Sequence, residues 1–195
     1  MESTFYNYLK KKVLVKSEHL PLLADEVSKR ALSKGELLLS EGQVCKNMFF
    51  MEKGLLRLYS IDEDGREHII QFAPENWFLS ERDSLYFGTP SGFFIDALED
   101  TEVVVFDQQF VDRASEISPE YRTYNEYILQ NHIRHMQKRI NLLIGATAEK
   151  RYLDFIKLYP DLTMRIPQWM VASYLGITPE SLSRVRRGLS QKNPE

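Results

Sequence analysis

Between Ala31 and about Phe110 the apolar residues come in runs too short for helices, and each run is closed by a turn signal. Glu36–Leu39 is followed by Glu41-Gly42, Met48–Met51 by Lys53-Gly54, Leu55–Ser60 by Asp62–Gly65, and His68–Phe72 by Pro74–Asn76. Such spacing predicts many short antiparallel strands, hence a barrel, roll or sandwich. Asp64-Gly65, between Leu55–Tyr59 and His68-Ile69-Ile70, predicts a hairpin, since its turn needs residues that tolerate positive φ. Ala97–Phe106, with Val103, Val104 and Val105, supplies a last strand.

At Ser118-Pro119 the period changes. Ser118 is a suitable helix cap and Pro119 suits a first helical position. Leu129, Ile133, Met136, Ile140 and Leu143 then recur at alternating spacings of four and three, a heptad seam. Tyr121, Tyr124 and Ile128 extend the apolar surface upstream, and Gly145 marks an end or hinge. A helix of about 25 residues, roughly 38 Å, is longer than one small roll can cover, so the seam predicts a homodimer. Residues 3–30 read as helical, with a second helix after Pro21. Ala148–Tyr159 is another helix, stopped by Pro160, and Asp161–Arg165 reads as an extended link.

The segment from Gln168 to Arg187 has the order of a helix-turn-helix. Pro167 starts a first helix, Ala172 is small enough for a close crossing, and Gly176 permits the tight turn. Val171, Leu175, Ile177, Leu182 and Val185 hold the two helices together. Thr178 caps the second helix and Pro179 occupies its first turn. Entering a major groove, that helix would offer Arg184 to guanine O6 and N7, Glu180 to cytosine N4, and Ser181 to a base edge or phosphate. Gln168, Arg186 and Arg187 are candidates for phosphate. Charge follows the same division. The formal net charge is −3, yet residues 165–195 carry five basic and two acidic side chains, a basic tail on an acidic body.

Other chemistries fit less well. The single cysteine, Cys45, allows no internal disulfide and no cysteine-held cluster, and reads as a core residue. His132 and His135, three apart on the long helix, could ligate metal or haem but read first as a polar pair facing solvent or the seam. The strand region offers only His68 to a metal enzyme, and no P-loop, dinucleotide fingerprint or Ser/His/Asp set is present, so no enzyme is expected. No signal peptide and no run of ~18 apolar residues is seen, which predicts a cytoplasmic protein without a membrane partner.

The succession of roll, long helix and helix-turn-helix resembles the Crp/Fnr family of transcription regulators over nearly the whole chain. Leu175–Arg186 is very similar to that family's recognition region, with Glu180, Ser181 and Arg184 falling on its base-reading positions. Met51–Tyr59 and Gly65–Pro74 resemble its roll strands. The resemblance implies an α+β protein: an N-terminal antiparallel, jelly-roll-like β-roll sensor at 1–117, a long dimerisation helix and hinge at 118–145, and a DNA-binding head at 146–195. It implies a homodimer on inverted-repeat double-stranded DNA, contact with RNA polymerase and a small-molecule effector in the roll. The effector segment departs from the family's cyclic-nucleotide cassette. Glu81 matches, but Ser80 replaces a glycine, Arg82 follows the Glu, and Ser91 with Gly92 stands where the phosphate-binding Arg belongs. Without that charge-assisted contact a cyclic nucleotide is not the expected cofactor, and Phe78, Tyr86, Phe87, Phe93 and Phe94 suggest a more apolar effector. Few residues follow Arg187, so no β-wing is expected and phosphate contacts would be weaker. A sensor or adaptor with weak or no DNA binding is the alternative.

Overall fold

A computed structural model of the chain describes residues 4–192. Residues 1–3 and 193–195, the outermost parts of the expected first helical segment and of the basic tail, lie outside them. Helix α1 (Thr4–Tyr8) runs into a π turn at Leu9–Val13, and a 3₁₀ helix follows at Leu20–Glu26. The strands are β1 (Ser28–Leu32), β2 (Leu37–Leu39), β3 (Met48–Lys53), β4 (Leu56–Ile61), β5 (Glu67–Ala73) and β6 (Phe78–Leu79). Helix α2 (Arg82–Phe87) interrupts them before β7 (Phe94–Ala97) and β8 (Thr101–Phe106). They form two antiparallel four-stranded sheets, ordered β1-β8-β3-β6 and β2-β7-β4-β5, which is the expected roll. The predicted hairpin joins β4 to β5, with the Asp62 carboxylate accepting from Asp64 N at 3.0 Å and Arg66 N at 2.9 Å.

Strand structure begins at Ser28, inside the segment expected to be helical. β1 is an edge strand whose first four residues are exposed, and charged residues there blunt the edge. Its ladder to β8, from Ser28↔Val105 to Leu32↔Thr101, comes from distant partners and leaves no apolar alternation to read. The turn before β4 needs Gly54. At φ +91° a Cβ would lie 2.4 Å from Thr101 Oγ1 and 2.8 Å from the Asp100 carbonyl.

Helix α3 (Gln108–Ile117), capped by Asp107, leads into α4 (Pro119–Gly145), 27 residues capped by Ser118 as expected. Helices α5 (Ala148–Leu158), α6 (Leu162–Arg165), α7 (Gln168–Leu175) and α8 (Pro179–Lys192) form the head. The expected extended link at Asp161–Arg165 is corrected to a helical turn. It places Leu162, 2% exposed, in the core and closes on an Ile166 N to Leu162 O bond of 3.0 Å.

Three apolar clusters organise the chain. One fills the space between the sheets, with Phe49, Leu56 and Ile95 at its centre and the buried Cys45 at its side. A second packs α1 and α3 on β3 through Phe5, Phe50, Phe106 and Phe110. The third crosses from roll to head: Phe72 of β5 meets Phe155, Tyr159 and Tyr174 at ring-centroid distances of 6.3, 5.9 and 5.7 Å. The head is therefore docked against the β4–β5 sheet.

Candidate nucleic-acid interface

Helices α7 and α8 meet through a turn at Gly176, whose φ of +63° gives α7 a left-handed C-cap. Val171, Ala172, Leu175 and Leu182 are buried at the crossing, and Ile177, Val185 and Leu189 pack against them. The small Ala172, only 1% exposed, sits in the contact as the sequence predicts. Thr178 Oγ1 accepts from Ser181 N at 3.2 Å, the expected N-cap of α8. Leu182, Val185 and Leu189 are thereby turned inward. Glu180, Arg184, Arg187 and Gln191, at helical spacing, are turned to solvent.

Arg184 donates through Nε to the Glu180 carbonyl at 3.4 Å, and among the described residues it makes no ion pair. Its guanidinium is extended along the outer face and available to a partner. The Glu180 carboxyl is held below the ordinary carboxylate range, first by its own backbone N–H and then by Thr178, so it is an ionised acceptor at neutral pH. Gln168 is exposed at the start of α7, Arg187 is exposed and Arg186 half-buried. The structure thus gathers Thr178, Glu180, Ser181, Arg184 and Arg187 on one end and outer face of α8, with Gln168 at the neighbouring helix N-terminus.

The seam candidates also share a face. Ile133 is 50%, Ile140 52% and Leu143 39% exposed, with Leu129 and Met136 half-buried between them. The adjacent Ile144, 83% exposed, extends the stripe. His132 and His135, both half-buried, line a cavity whose wall the seam candidates Met136 and Leu143 also share, so the polar pair lies beside the seam. Burial is the first cause lowering both their pKa values, and nearby cationic groups add to it, so both are neutral at pH 7. Among the described residues no three His, Cys, Asp or Glu side chains are placed to hold a metal.

The expected effector residues do not form one receptor. The buried Glu81 carboxylate caps α2, accepting from Asp83 N at 3.1 Å and Ser84 N at 2.8 Å. Ser91, itself buried, bonds through Oγ within its own turn, to Phe93 N and O, and Gly92 beside it is exposed. Ser80 and Arg82 point elsewhere, into a small cavity of about 70 Å³ shared with Tyr121 and His132. The aromatic residues scatter too. Tyr86 and Phe87 are 76% and 71% exposed, Phe78 packs on Phe50, and Phe94 stacks on Tyr59. Local side-chain capping has taken the groups that a ligand would need.

Sequence reasoning missed four arginines that set the geometry. Arg57 on β4 is 6% exposed and bonds both Asp96 oxygens, at 2.7 and 2.9 Å, with Glu67 as a further partner. Burial works against its charge, but these carboxylates outweigh it and raise its pKa. Arg165 bonds both Glu75 oxygens at 2.9 Å and also Glu99, tying head to roll. Arg139 and Arg151 hold carbonyls at the end of α7. An Arg on a helix or strand normally reads as a solvated charge, and no local signal marks Arg57 as buried or the other three as half-buried.

The Arg165 clasp carries a pH prediction. Burial, the largest single influence, raises Glu75, but the Arg165 hydrogen bonds, the Gly54 and Glu75 backbone N–H groups and the Arg165 charge together outweigh it and hold the carboxyl below its usual range. A depressed carboxyl adds stability above its unfolded pKa and loses it as pH falls through the folded value. The partners are partly exposed, so the effect is under about 1 kcal/mol. Unfolding midpoints followed down to about pH 3 should fall more steeply for wild type than for Arg165→Gln.

A β-roll linked by a long helix to a helix-turn-helix with an outward basic face defines a DNA-binding transcription regulator. Comparison with known proteins agrees. Residues 29–117 match the cyclic nucleotide-binding domain family. The transcriptional activator FnrA of Stutzerimonas stutzeri is 28% identical over 83% of this chain and 70% of its own length. The fold is that of FixK2 from Bradyrhizobium japonicum (TM-score 0.71, 21% identity, 85% of each chain). It is also that of a CooA mutant from Carboxydothermus hydrogenoformans (TM-score 0.74, 16% identity, 98% of this chain and 86% of the other). The chain is thus similar to transcription regulators of the Crp/Fnr type and carries a match to the cyclic nucleotide-binding domain over residues 29–117.

Proposed function

We propose that the chain acts as a homodimer on inverted-repeat operators, each head placing the first turns of α8 in a major groove. The observation that carries this reading is the outer face of α8, where Glu180 and Arg184 stand one turn apart with the helix beneath them capped by Thr178. Arg184 reads guanine, Glu180 cytosine, and Ser181 a base edge or phosphate. Gln168, Arg186 and Arg187 set the register on the phosphates. The seam of Leu129, Ile133, Met136, Ile140 and Leu143 pairs two copies, giving heads about 34 Å apart, one turn of DNA. Residues 1–117, 118–145 and 146–195 serve as sensor, dimerisation helix and head. The protein works in the cytoplasm, contacts RNA polymerase from the operator, and is not an enzyme. Among the described residues no helix is long and apolar enough to cross a membrane.

Effector control fits the junction of roll, α4 and head better than the segment Ser80–Gly92, because Glu81 and Ser91 are engaged in their own loop. A ligand that strengthens or releases the docking of the head shifts the heads between spacings that match or miss the two half-sites.

Selection from random DNA tests the reading. Recovery of a two-fold symmetric site supports it, and recovery of unsymmetrical or random sequence overturns it. On the selected site, Arg184→Ala should cost about 1–3 kcal/mol and relax preference at one base pair per half-site. Arg187→Ala should weaken all sequences alike and flatten the salt dependence by about one phosphate contact per head.

A further inference from the structure

A cavity of about 300 Å³ lies where α4, β5 and the head helices α5 and α7 meet. Its size is at the lower end of the roughly 300–1,000 Å³ of small-molecule sites. Its walls combine rings with guanidinium groups: Trp77, Tyr124 and Tyr174 on one hand, Arg139 and Arg151 on the other.

The two arginines are held side by side. Arg139 Nη2 donates to the Tyr174 carbonyl at 3.1 Å, and Arg151 Nη1 to the adjacent Leu175 carbonyl at 2.8 Å. Both carbonyls lie at the C-terminal end of α7, where the helix dipole favours cations. Arg139 also donates to the Ile69 and Ile70 carbonyls of β5, and its guanidinium lies 4.0 Å over the Tyr174 ring. These contacts use terminal N–H groups only. The Nε–H of Arg139 and the Nε–H of Arg151 are both buried with no acceptor. The partners of both guanidinium groups are neutral backbone carbonyls, so their positive charge is left uncompensated, and a carboxylate in the cavity would meet it with charge-assisted attraction.

Electrostatics point the same way. Asp154 is the one acidic side chain in the wall, and it is ion-paired to Lys138. Among the described residues neither Arg139 nor Arg151 has a carboxylate partner. His132 and His135 are kept neutral by burial, so they offer uncharged edges.

We propose that this junction binds an aromatic carboxylic acid, its ring between the aromatic walls and its carboxylate facing the guanidinium groups of Arg139 and Arg151. The assignment deepens the effector reading above and rests on it only for the regulatory consequence. Such a ligand touches roll, long helix and head together, so it would strengthen the docked arrangement.

Calorimetric titration of the full chain without DNA, using 1-naphthoate and the uncharged 1-naphthalenemethanol, tests it. Saturable binding of the acid, about tenfold or more tighter than the alcohol, is expected. Arg151→Gln should erase most of that preference while leaving alcohol binding in place. It removes one bond to a carbonyl, so the fold should persist, and Arg139→Gln gives a second reading. Ile128→Trp, which fills the cavity from α4, should abolish binding of both compounds. No saturable binding to wild type overturns the assignment. So does equal affinity for acid and alcohol, or acid binding that survives Ile128→Trp. Because DNA is absent, a failed operator selection would leave this result standing, and the reverse also holds.

Discussion

Ile140→Asp should leave the folded chain intact and weaken operator binding by about 10²- to 10⁴-fold, the avantage that two linked heads hold over one. Ile140 is 52% exposed in the single chain, so the substitution meets water there and stability should change by less than about 0.5 kcal/mol. In a paired seam the same carboxylate would be buried against its symmetry mate, unpaired and repelled. Light scattering should report a monomer of about half the wild-type mass, and a single half-site should bind both proteins equally. A dimer that persists in Ile140→Asp would place the subunit contact elsewhere on the chain.

Asp96→Ala should cost about 3 kcal/mol of folding stability. Arg57 and Asp96 face each other across β4 and β7 and are 6% and 7% exposed. Removing the carboxylate leaves a buried guanidinium with only Glu67, whose side chain is 30% exposed. Losing one partner of such a pair is worth about 3–5 kcal/mol, and the remaining Glu67 keeps the expectation at the low end. Arg57 also lies 3.9 Å over the Tyr59 ring and 5.9 Å from that of Trp169 in α7, so the lesion should loosen the docked head as well as the roll. Denaturant unfolding with Trp emission as the probe reads both. The double variant Arg57→Met/Asp96→Leu should recover much of the loss, since it removes the stranded charge. If Asp96→Ala unfolds within about 0.5 kcal/mol of wild type, the pair is not the structural anchor described here.

Much of this protein is written locally. Short runs closed by turn residues specify strands, because each turn needs its own Gly, Asn or Asp. A cap followed by Pro119 and a heptad specifies α4. Thr178, Gly176 and the spacing of Leu175, Leu182 and Val185 specify the helix-turn-helix, because cap, left-handed turn and apolar face are all properties of adjacent residues. These signals act within one or two turns of chain, so the sequence displays them directly.

Edge strand β1 and helix α6 escaped because their stability comes from partners far away: β8 for one, the buried seat of Leu162 for the other. The expected effector residues are not gathered into one receptor for a related reason. Glu81, Arg82 and Ser91 are near in sequence, but side-chain capping and the direction of α2 separate what they contact. The sequence by itself determined that a roll, a long apolar-striped helix and a DNA-reading head follow one another. Only the tertiary structure decided that the head lies on the β4–β5 sheet, that His132 and His135 share a cavity with β5 and the head, and that Arg139 and Arg151 meet at the end of α7. Those outcomes depend on which carbonyls, rings and carboxylates the fold brings within a few ångströms, and partners up to 106 residues apart leave no periodic trace in the chain.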